Sequence, residues 1–115
     1  PEDEREARAV VDRVHEQIRD ENYSAIYNES AQRFKSVGPE FKFLEVMRQY
    51  RTETGTFKKV TPVAYEVGVD SSAGKIYVFV DEVEFEKGRV RERLTLTRSE
   101  SGKMQLWKLD WSSLH

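Results

Sequence analysis

Apolar and charged residues alternate along two neighbouring stretches of the chain, on either side of Lys87-Gly88. Alternation of this kind is typical of a β-strand with one buried face, and the Lys-Gly pair predicts a two-residue hairpin turn. Folding the chain there pairs Phe85 with Val90 and Phe79 with Leu96 on an apolar face. The predicted pairs on the charged face are Glu86 with Arg89, Glu84 with Arg91 and Glu82 with Arg93. A slip by one residue would bury this charged row, so the pattern defines the two faces.

The segments that precede the hairpin in the chain show the periodicity of helices. Apolar side chains recur every three or four positions over residues 2–21, which predicts an amphipathic helix. A second, short helix is predicted to begin near Asn22 or Ser24, and a third to begin near Pro39 and end at Gly55. The apolar faces are Ala7, Val10, Val11, Val14 and Ile18 in the first helix, Tyr23, Ile26, Tyr27 and Phe34 in the second, and Phe41, Phe43, Leu44, Val46, Met47 and Tyr50 in the third. The first helix needs an apolar surface to lie on, and the sheet offers one.

Two further strands complete the predicted sheet. Residues 56–69 alternate again, and Pro62 removes one hydrogen-bond donor, which predicts an edge strand or a bulge there. The turn glycines Gly74, Gly88 and Gly102 are fourteen residues apart, which indicates a meander of strands of similar length. A four-residue loop ending at Gly102 would place Leu94 beside Trp107, Glu92 beside Leu109 and Val90 beside Trp111.

The sequence therefore predicts one α+β domain over residues 1–115, with N-terminal helices packed in the concave face of a curved four-stranded antiparallel meander. Charged residues make up 35% of the chain, yet the net charge is only -2, so we expect no nucleic-acid partner. Cysteine is absent, which excludes disulfides, thiolate catalysis and cysteine zinc sites. The longest apolar run, residues 76–80, is too short to cross a bilayer. A chain that starts at Pro1 leaves open the loss of an export signal or lipid anchor.

Three helices followed by a four-stranded meander, the segment from Asp20 to Tyr27 and the turn Phe85-Glu86-Lys87-Gly88 together resemble the NTF2-like (cystatin-like) superfamily. More narrowly, they resemble small bacterial domains of unknown function in that group, many of them exported or lipid-anchored. The resemblance implies a sheet that curls around the long helix to form a cone. Members use the cone as an enzyme pocket, as a binding pocket or only as a scaffold for dimers, so the fold does not select a function.

Two carboxylates, Asp81 and Glu92, interrupt the apolar row on the predicted concave face, where they are diagonal neighbours. Acids in an apolar pocket often act as general acid or base. With Tyr65 or Tyr77 nearby, they resemble in outline the tyrosine and aspartate pocket of ketosteroid isomerase-like members. The other interpretation, which we favour, is a bulge at Asp81-Glu82 that turns both acids to solvent.

His15 lies on the first predicted helix with Asp12 and Glu16, residue types that occur in metal and acid-base sites. A metal site needs three or four convergent ligands, and no second histidine follows at ligand spacing. We therefore predict a histidine at the boundary of the helix, and neither a metal nor a cofactor.

Aromatic and aliphatic side chains of the concave face could line a ligand cavity or fill the core. The candidate ligand pocket consists of Phe79, Leu94, Trp107, Trp111 and Tyr27.

The convex face carries a semi-apolar patch beyond the charged ladder, alongside Ile76. Exposed patches of this kind often mark association, although the first strand or a loop could also cover it. The candidate homodimer patch consists of Val78, Val80, Thr95, Thr97, Met104 and Leu106.

The main functional hypothesis is a non-catalytic NTF2-like domain of unknown cellular role that acts by binding or by self-association. It depends on the lack of a convergent nucleophile, base and oxyanion donors in the sequence. A further hypothesis is a module that binds a small apolar ligand, which requires the cavity but not the acids. The alternative is an isomerase or lyase that acts on a small apolar substrate through Asp81, Glu92 and a tyrosine. That alternative requires an open cavity of at least about 300 Å³ that contains both carboxylates.

Overall fold

The computed structural model describes residues 1–114, and four helices precede four strands in it. The helices are α1 (Glu2–Arg19), α2 (Tyr23–Glu29), α3 (Gln32–Lys35) and α4 (Glu40–Thr54). The strands are β1 (Phe57–Asp70), β2 (Gly74–Phe85), β3 (Gly88–Arg98) and β4 (Met104–Leu114). They form one antiparallel sheet in the order β1-β2-β3-β4, which confirms the α+β class and the four-stranded meander. The predicted second helix is wrong in one respect, because extended backbone at Ser30 and Ala31 divides it into α2 and α3.

The first helix contributes its predicted apolar stripe to the core. Four of its five members are buried and the fifth, Val10, packs against the same core. The sheet supplies the opposing side chains, among them Phe79, Val83 and Leu94. The buried members of the stripe are Ala7, Val11, Val14 and Ile18. Helix α1 therefore rests on the apolar face of the sheet, as its periodicity predicts.

The edge strand β1 is irregular at its proline. Pro62 pairs with Asp81 of β2, and the register shifts between Pro62 and Ala64. Strand β1 lies at the edge of the sheet, so the prediction of an edge or a bulge at Pro62 is confirmed on both counts.

The hairpin between β2 and β3 turns one residue earlier than predicted, which shifts the pairing of the two strands by two positions. Phe85 pairs with Gly88, which leaves Glu86 and Lys87 in the turn. The Glu86 and Lys87 amides donate to the Thr56 and Thr54 carbonyls at 2.8 and 2.9 Å. The end of α4 thus holds the turn and takes Glu86 out of the ladder. The predicted charged and apolar pairs are wrong, and the observed ones are Glu84 with Arg89, Glu82 with Arg91, Val83 with Val90 and Phe79 with Leu94.

A bulge changes the direction of the side chains in β4. Thr95 pairs with Lys108 but Leu96 pairs with Leu106, so Trp107 is an extra residue. The predicted pairs of β3 with β4 are wrong by two positions. The observed pairs are Leu94 with Leu109, Glu92 with Trp111 and Val90 with Ser113.

The bulge also moves two members of the predicted exposed patch into the core. Met104 and Leu106, placed there by simple alternation, are instead part of the hydrophobic core. Val78, Thr95 and Thr97 are already buried in the single chain, and Val80 is half-buried. The prediction of an exposed patch formed by these six residues is therefore wrong, while the oligomeric state of the chain stays a prediction.

Gly55 joins α4 to β1 in a conformation that only glycine adopts readily. Its φ is 77° and its ψ is -156°, and an added Cβ would lie 2.6 Å from the Glu86 Oε1 atom and 2.9 Å from the Glu86 Cβ atom. Gly74 has the same φ of 77° but no atom within 4 Å of an added Cβ. We expect Gly55→Ala to lower the free energy of unfolding by about 3 kcal/mol and Gly74→Ala by about 1 kcal/mol. Urea denaturation measures both, and equal losses would contradict the contact with Glu86.

Candidate functional site

An open apolar groove of about 420 Å³ lies between the short helices, α4 and β4. Its size falls within the range of small-molecule sites. The lining residues are Tyr27, Phe34, Val37, Gly38, Pro39, Lys42, Phe43, Val46, Leu109 and Trp111.

Hydrogen bonding and aromatic packing shape this groove within the single chain. The Tyr27 hydroxyl donates to the Gly38 carbonyl at 2.8 Å, which ties α2 to the loop before α4. The Phe34 and Phe43 rings meet edge to face with centroids 5.2 Å apart, an arrangement that stabilises aromatic pairs. Tyr27 also packs on Phe43, with centroids 5.9 Å apart. The aromatic wall is therefore formed before any ligand arrives.

Two of the five side chains of the predicted ligand pocket lie at this groove. Tyr27 and Trp111 line the groove. Phe79 and Leu94 are fully buried in the core and do not border the groove. Trp107 lies at the bulge of β4, where the Arg33 and Lys108 side chains pack over its ring. Helices α2 to α4 and β4 form the opening, and the space between α1 and the sheet is filled by side chains.

Within residues 1–114, Lys42 is the one charged residue that lines the groove. Among residues 1–114 it takes part in no ion pair. At the rim, Val37 is 88% exposed and Val46 is 51% exposed. An apolar groove with one uncompensated ammonium group is suited to a ligand that is largely apolar and carries one negative charge.

Glu92 lies at the centre of a buried polar cluster beneath the groove. The cluster, defined here as Glu92, His15, Tyr50, Asp81 and Arg8, is held by side chains of α1, α4, β2 and β3. His15 Nε2 lies 2.8 Å from Glu92 Oε1, and the Tyr50 hydroxyl donates to Glu92 Oε2 at 2.9 Å. Burial, followed by the negative charge of Glu92, raises the pKa of Tyr50 above its usual range, so the phenol stays a donor. Both oxygens of Glu92 thus have partners.

Asp81 lies directly opposite Glu92 on the neighbouring strand, and both side chains are fully buried. Arg8 binds Asp81 with both terminal nitrogens, at 3.1 and 3.3 Å. The guanidinium group also packs over the Phe79 ring, 4.5 Å from its centroid. Like charges opposite each other across strands repel, so Arg8 offsets the cost of placing two carboxylates side by side.

Two sequence predictions about these acids and one about His15 are wrong. No bulge occurs at Asp81-Glu82, and the pairing of β2 with β3 is continuous there, so neither acid turns to solvent. The acids are direct rather than diagonal neighbours, because the turn begins one residue earlier and the pairing of the strands is therefore shifted by two positions. His15 is not at a boundary, since it is 5% exposed and bonded to Glu92.

Neither predicted tyrosine joins these acids. The Tyr77 hydroxyl donates to Asp3 Oδ2 at 2.8 Å, and burial together with this carboxylate raises the pKa of Tyr77. Tyr65 is half-buried and packs on Phe79 with ring centroids 4.7 Å apart. The tyrosine that does bind Glu92 is Tyr50, which the sequence assigned only to the apolar side of a helix.

Arg8 is the second partner that sequence reasoning missed. The available signal was spacing, because Arg8 and His15 are seven residues apart on α1 and therefore share one face two turns apart. That face also holds the buried residues Ala7, Val11 and Val14. A charged and a titratable residue within an apolar stripe indicate polar partners on the opposing sheet.

The buried cluster is linked to the groove by the contact between the side chains of Tyr50 and Trp111. The Tyr50 and Trp111 rings lie 4.2 Å apart between centroids, and Trp111 lines the groove. A smaller hollow of about 230 Å³ is lined by both Tyr50 and Trp111. Asp81 and Glu92 line neither hollow, and no buried side-chain polar atom of residues 1–114 lacks a partner. The enzyme alternative requires both acids in an open cavity, and this arrangement does not meet that requirement.

Within residues 1–114, no group of three His, Asp or Glu side chains is placed to hold a metal ion. No helix in the same part of the chain combines the length and apolar character needed to cross a membrane. Comparison of the sequence with models of known protein families and with curated proteins finds no match.

Proposed function

We propose that the chain is an NTF2-like binding module, and that its groove takes a small, largely apolar ligand with one negative charge. The observation that carries the proposal is the aromatic groove of about 420 Å³, in which Lys42 is the only charged lining residue from the described part of the chain. The ligand's apolar part would lie against Phe34, Phe43 and Trp111, and its anionic group would face Lys42. The NTF2-like assignment is supported by the helices followed by an antiparallel meander.

A non-catalytic role accords with the arrangement of the acids. Catalytic carboxylates act on groups within hydrogen-bond reach, whereas Asp81 and Glu92 are fully buried and held by Arg8, His15 and Tyr50. A ligand in the groove would meet Trp111 before it met either acid. We therefore favour binding without chemistry over the isomerase or lyase alternative.

Fluorescence titration with anilinonaphthalene sulfonate tests the site, since this probe is an aromatic anion. Val46→Glu adds a negative charge to the groove wall, and Val46 is half-exposed, so the core is not disturbed. We expect this variant to bind the probe at least about tenfold more weakly, a loss of about 1.4 kcal/mol. The matched control is Val63→Glu, because Val63 is 46% exposed and Val46 is 51% exposed, and Val63 lies on β1 outside the groove. Equal binding by both variants would contradict the location of the site.

Lys42→Gln tests the proposed charge of the ligand. It should weaken anilinonaphthalene sulfonate about fivefold, the effect of about 1 kcal/mol typical of an exposed ion pair. It should leave the neutral analogue N-phenylnaphthylamine unchanged, because that probe has the same aromatic frame without the sulfonate. Equal weakening of both probes would show that Lys42 contributes contact area and not charge. The Trp107→Phe background allows the same titrations to be followed by the fluorescence of Trp111 alone.

A further inference from the structure

The two edges of the sheet differ in how their backbone is engaged. On β4, the Leu106 carbonyl accepts a hydrogen bond from the Ala31 amide at 2.8 Å, so the loop between α2 and α3 covers part of that edge. On β1, no hydrogen bond from outside the sheet reaches the backbone of residues 58–69 within the described chain. An uncovered edge strand presents a row of free donors and acceptors to another strand.

Strand β1 protects only its first half against such pairing. Proteins commonly protect an open edge with lysine, proline or a bulge, and β1 has Lys58, Lys59, Pro62 and the register shift after it. The second half, residues 64–70, has none of these features. It also exposes apolar side chains, since Val67 is 47% exposed and Val69 is 85% exposed.

The sequence of this second half is complementary to itself in one register. Antiparallel pairing of two identical strands is centred on one residue, which faces its own copy. Centring on Val67 places Tyr65 against Val69 on one face, and Glu66 against Gly68, which has no side chain, on the other. A pairing centred on residue 66 would place the two copies of Glu66 opposite each other. A pairing centred on residue 68 would place Glu66 opposite Asp70. Both arrangements bring like charges together and are repulsive.

We propose that β1 of a second copy pairs antiparallel with β1 over residues 64–70, centred on Val67. The pairing joins two four-stranded sheets into one of eight strands around a two-fold axis. It covers Val67 and Val69 and engages the free backbone groups of the edge. A contact of seven residues per strand is small, so the dimer is of the weak class. The proposed pairing does not involve the groove, because β1 contributes no lining residue to it.

Disulfide trapping tests the register in the full chain. The sequence has no cysteine, so each single variant has one thiol. In the paired strands the Cα atoms of the two copies of residue 67 lie about 4.5–5.5 Å apart, within the range of a disulfide. Two copies of residue 63 lie about 27 Å apart. We expect Val67→Cys to form a disulfide dimer under mild oxidation and Val63→Cys, a residue of equal exposure, to stay monomeric.

Sedimentation velocity without ligand gives the second measurement. Val67→Lys should sediment as a monomer at concentrations where the unmodified chain and Val63→Lys show association. Circular dichroism checks that each variant keeps its fold. Equal disulfide formation by the two cysteine variants would overturn the proposal, as would a dimer that Val67→Lys leaves intact. A chain that binds probe normally but fails these tests would refute the pairing and leave the groove proposal standing.

Discussion

Replacement of Glu92 with alanine is expected to lower the free energy of unfolding by about 3–5 kcal/mol, the usual cost of removing one partner from a buried charged group. The Glu92 side chain is fully buried, and His15 and Tyr50, its partners, are 5% and 3% exposed. Without it, the His15 ring nitrogen and the Tyr50 hydroxyl lose their acceptor in a place that water does not reach. The truncated side chain also leaves a cavity among well-packed neighbours. Urea denaturation followed by far-UV circular dichroism measures the loss.

Glu92→Gln is the matched control, because glutamine keeps the shape of the side chain. Its carbonyl can accept from Tyr50, and its amide can take the place of the Glu92 oxygen beside the His15 ring, so we expect a loss of only about 1–2 kcal/mol. A double-mutant cycle with Tyr50→Phe then isolates the hydrogen bond to Tyr50. A loss below about 1 kcal/mol for Glu92→Ala would mean that the side chain is not buried as described.

Replacement of Arg8 with methionine is expected to cost more than replacement of its partner Asp81 with asparagine. The Arg8 side chain is 27% exposed and that of Asp81 is 0% exposed. Removing Arg8 leaves a fully buried carboxylate beside Glu92 without its counter-charge, for which we expect a loss of about 3–5 kcal/mol. Removing the charge of Asp81 leaves a guanidinium group that can reach water, so a loss of about 1–2 kcal/mol is expected. Thermal and urea denaturation should rank the two variants in this order.

The double variant Arg8→Met with Asp81→Leu separates the cost of an unpaired charge from the cost of altered packing. Apolar residues of similar volume can replace a buried ion pair with little or no loss of stability, so the double variant should recover most of the loss caused by Arg8→Met alone. If the double variant is no more stable than Arg8→Met, the loss arises from the missing contact with the Phe79 ring and not from the unpaired carboxylate.

Alternation along the strands was sufficient to predict the faces of the central hairpin but not its register. A shift of two positions leaves every side chain on the same face, so both registers satisfy the same pattern. The contact that selects between them runs from the turn at Glu86-Lys87 to the carbonyls of Thr54 and Thr56. Such a contact between segments about thirty residues apart in the chain leaves no local signal in the sequence.

The bulge in β4, in contrast, has a visible signal. Met104 and Leu106 continue one phase of alternation, whereas Leu109 and Trp111 follow the other. One extra residue must lie between the two phases if all four side chains are to face the core. The candidate site depends on this bulge in β4, because the bulge directs Trp111 to the groove and leaves Trp107 as the extra residue. Whether the space between α1 and the sheet is hollow could not be predicted, since side-chain volumes alone do not define a cavity.

Two polar side chains of α1, Arg8 and His15, restrict how the helix can pack on the sheet. If α1 had only its apolar stripe, it could slide along the sheet by a turn or rotate about its own axis. Most such shifts would still bury aliphatic side chains. Arg8 and His15 remove that freedom, because each must meet a particular carboxylate on one of two adjacent strands. A slide by about one turn would bring Asp12 toward the place of His15, acid against acid. The cluster thus favours a single alignment of α1 on the sheet. Polar groups in the core of other proteins also select one packing arrangement in this way.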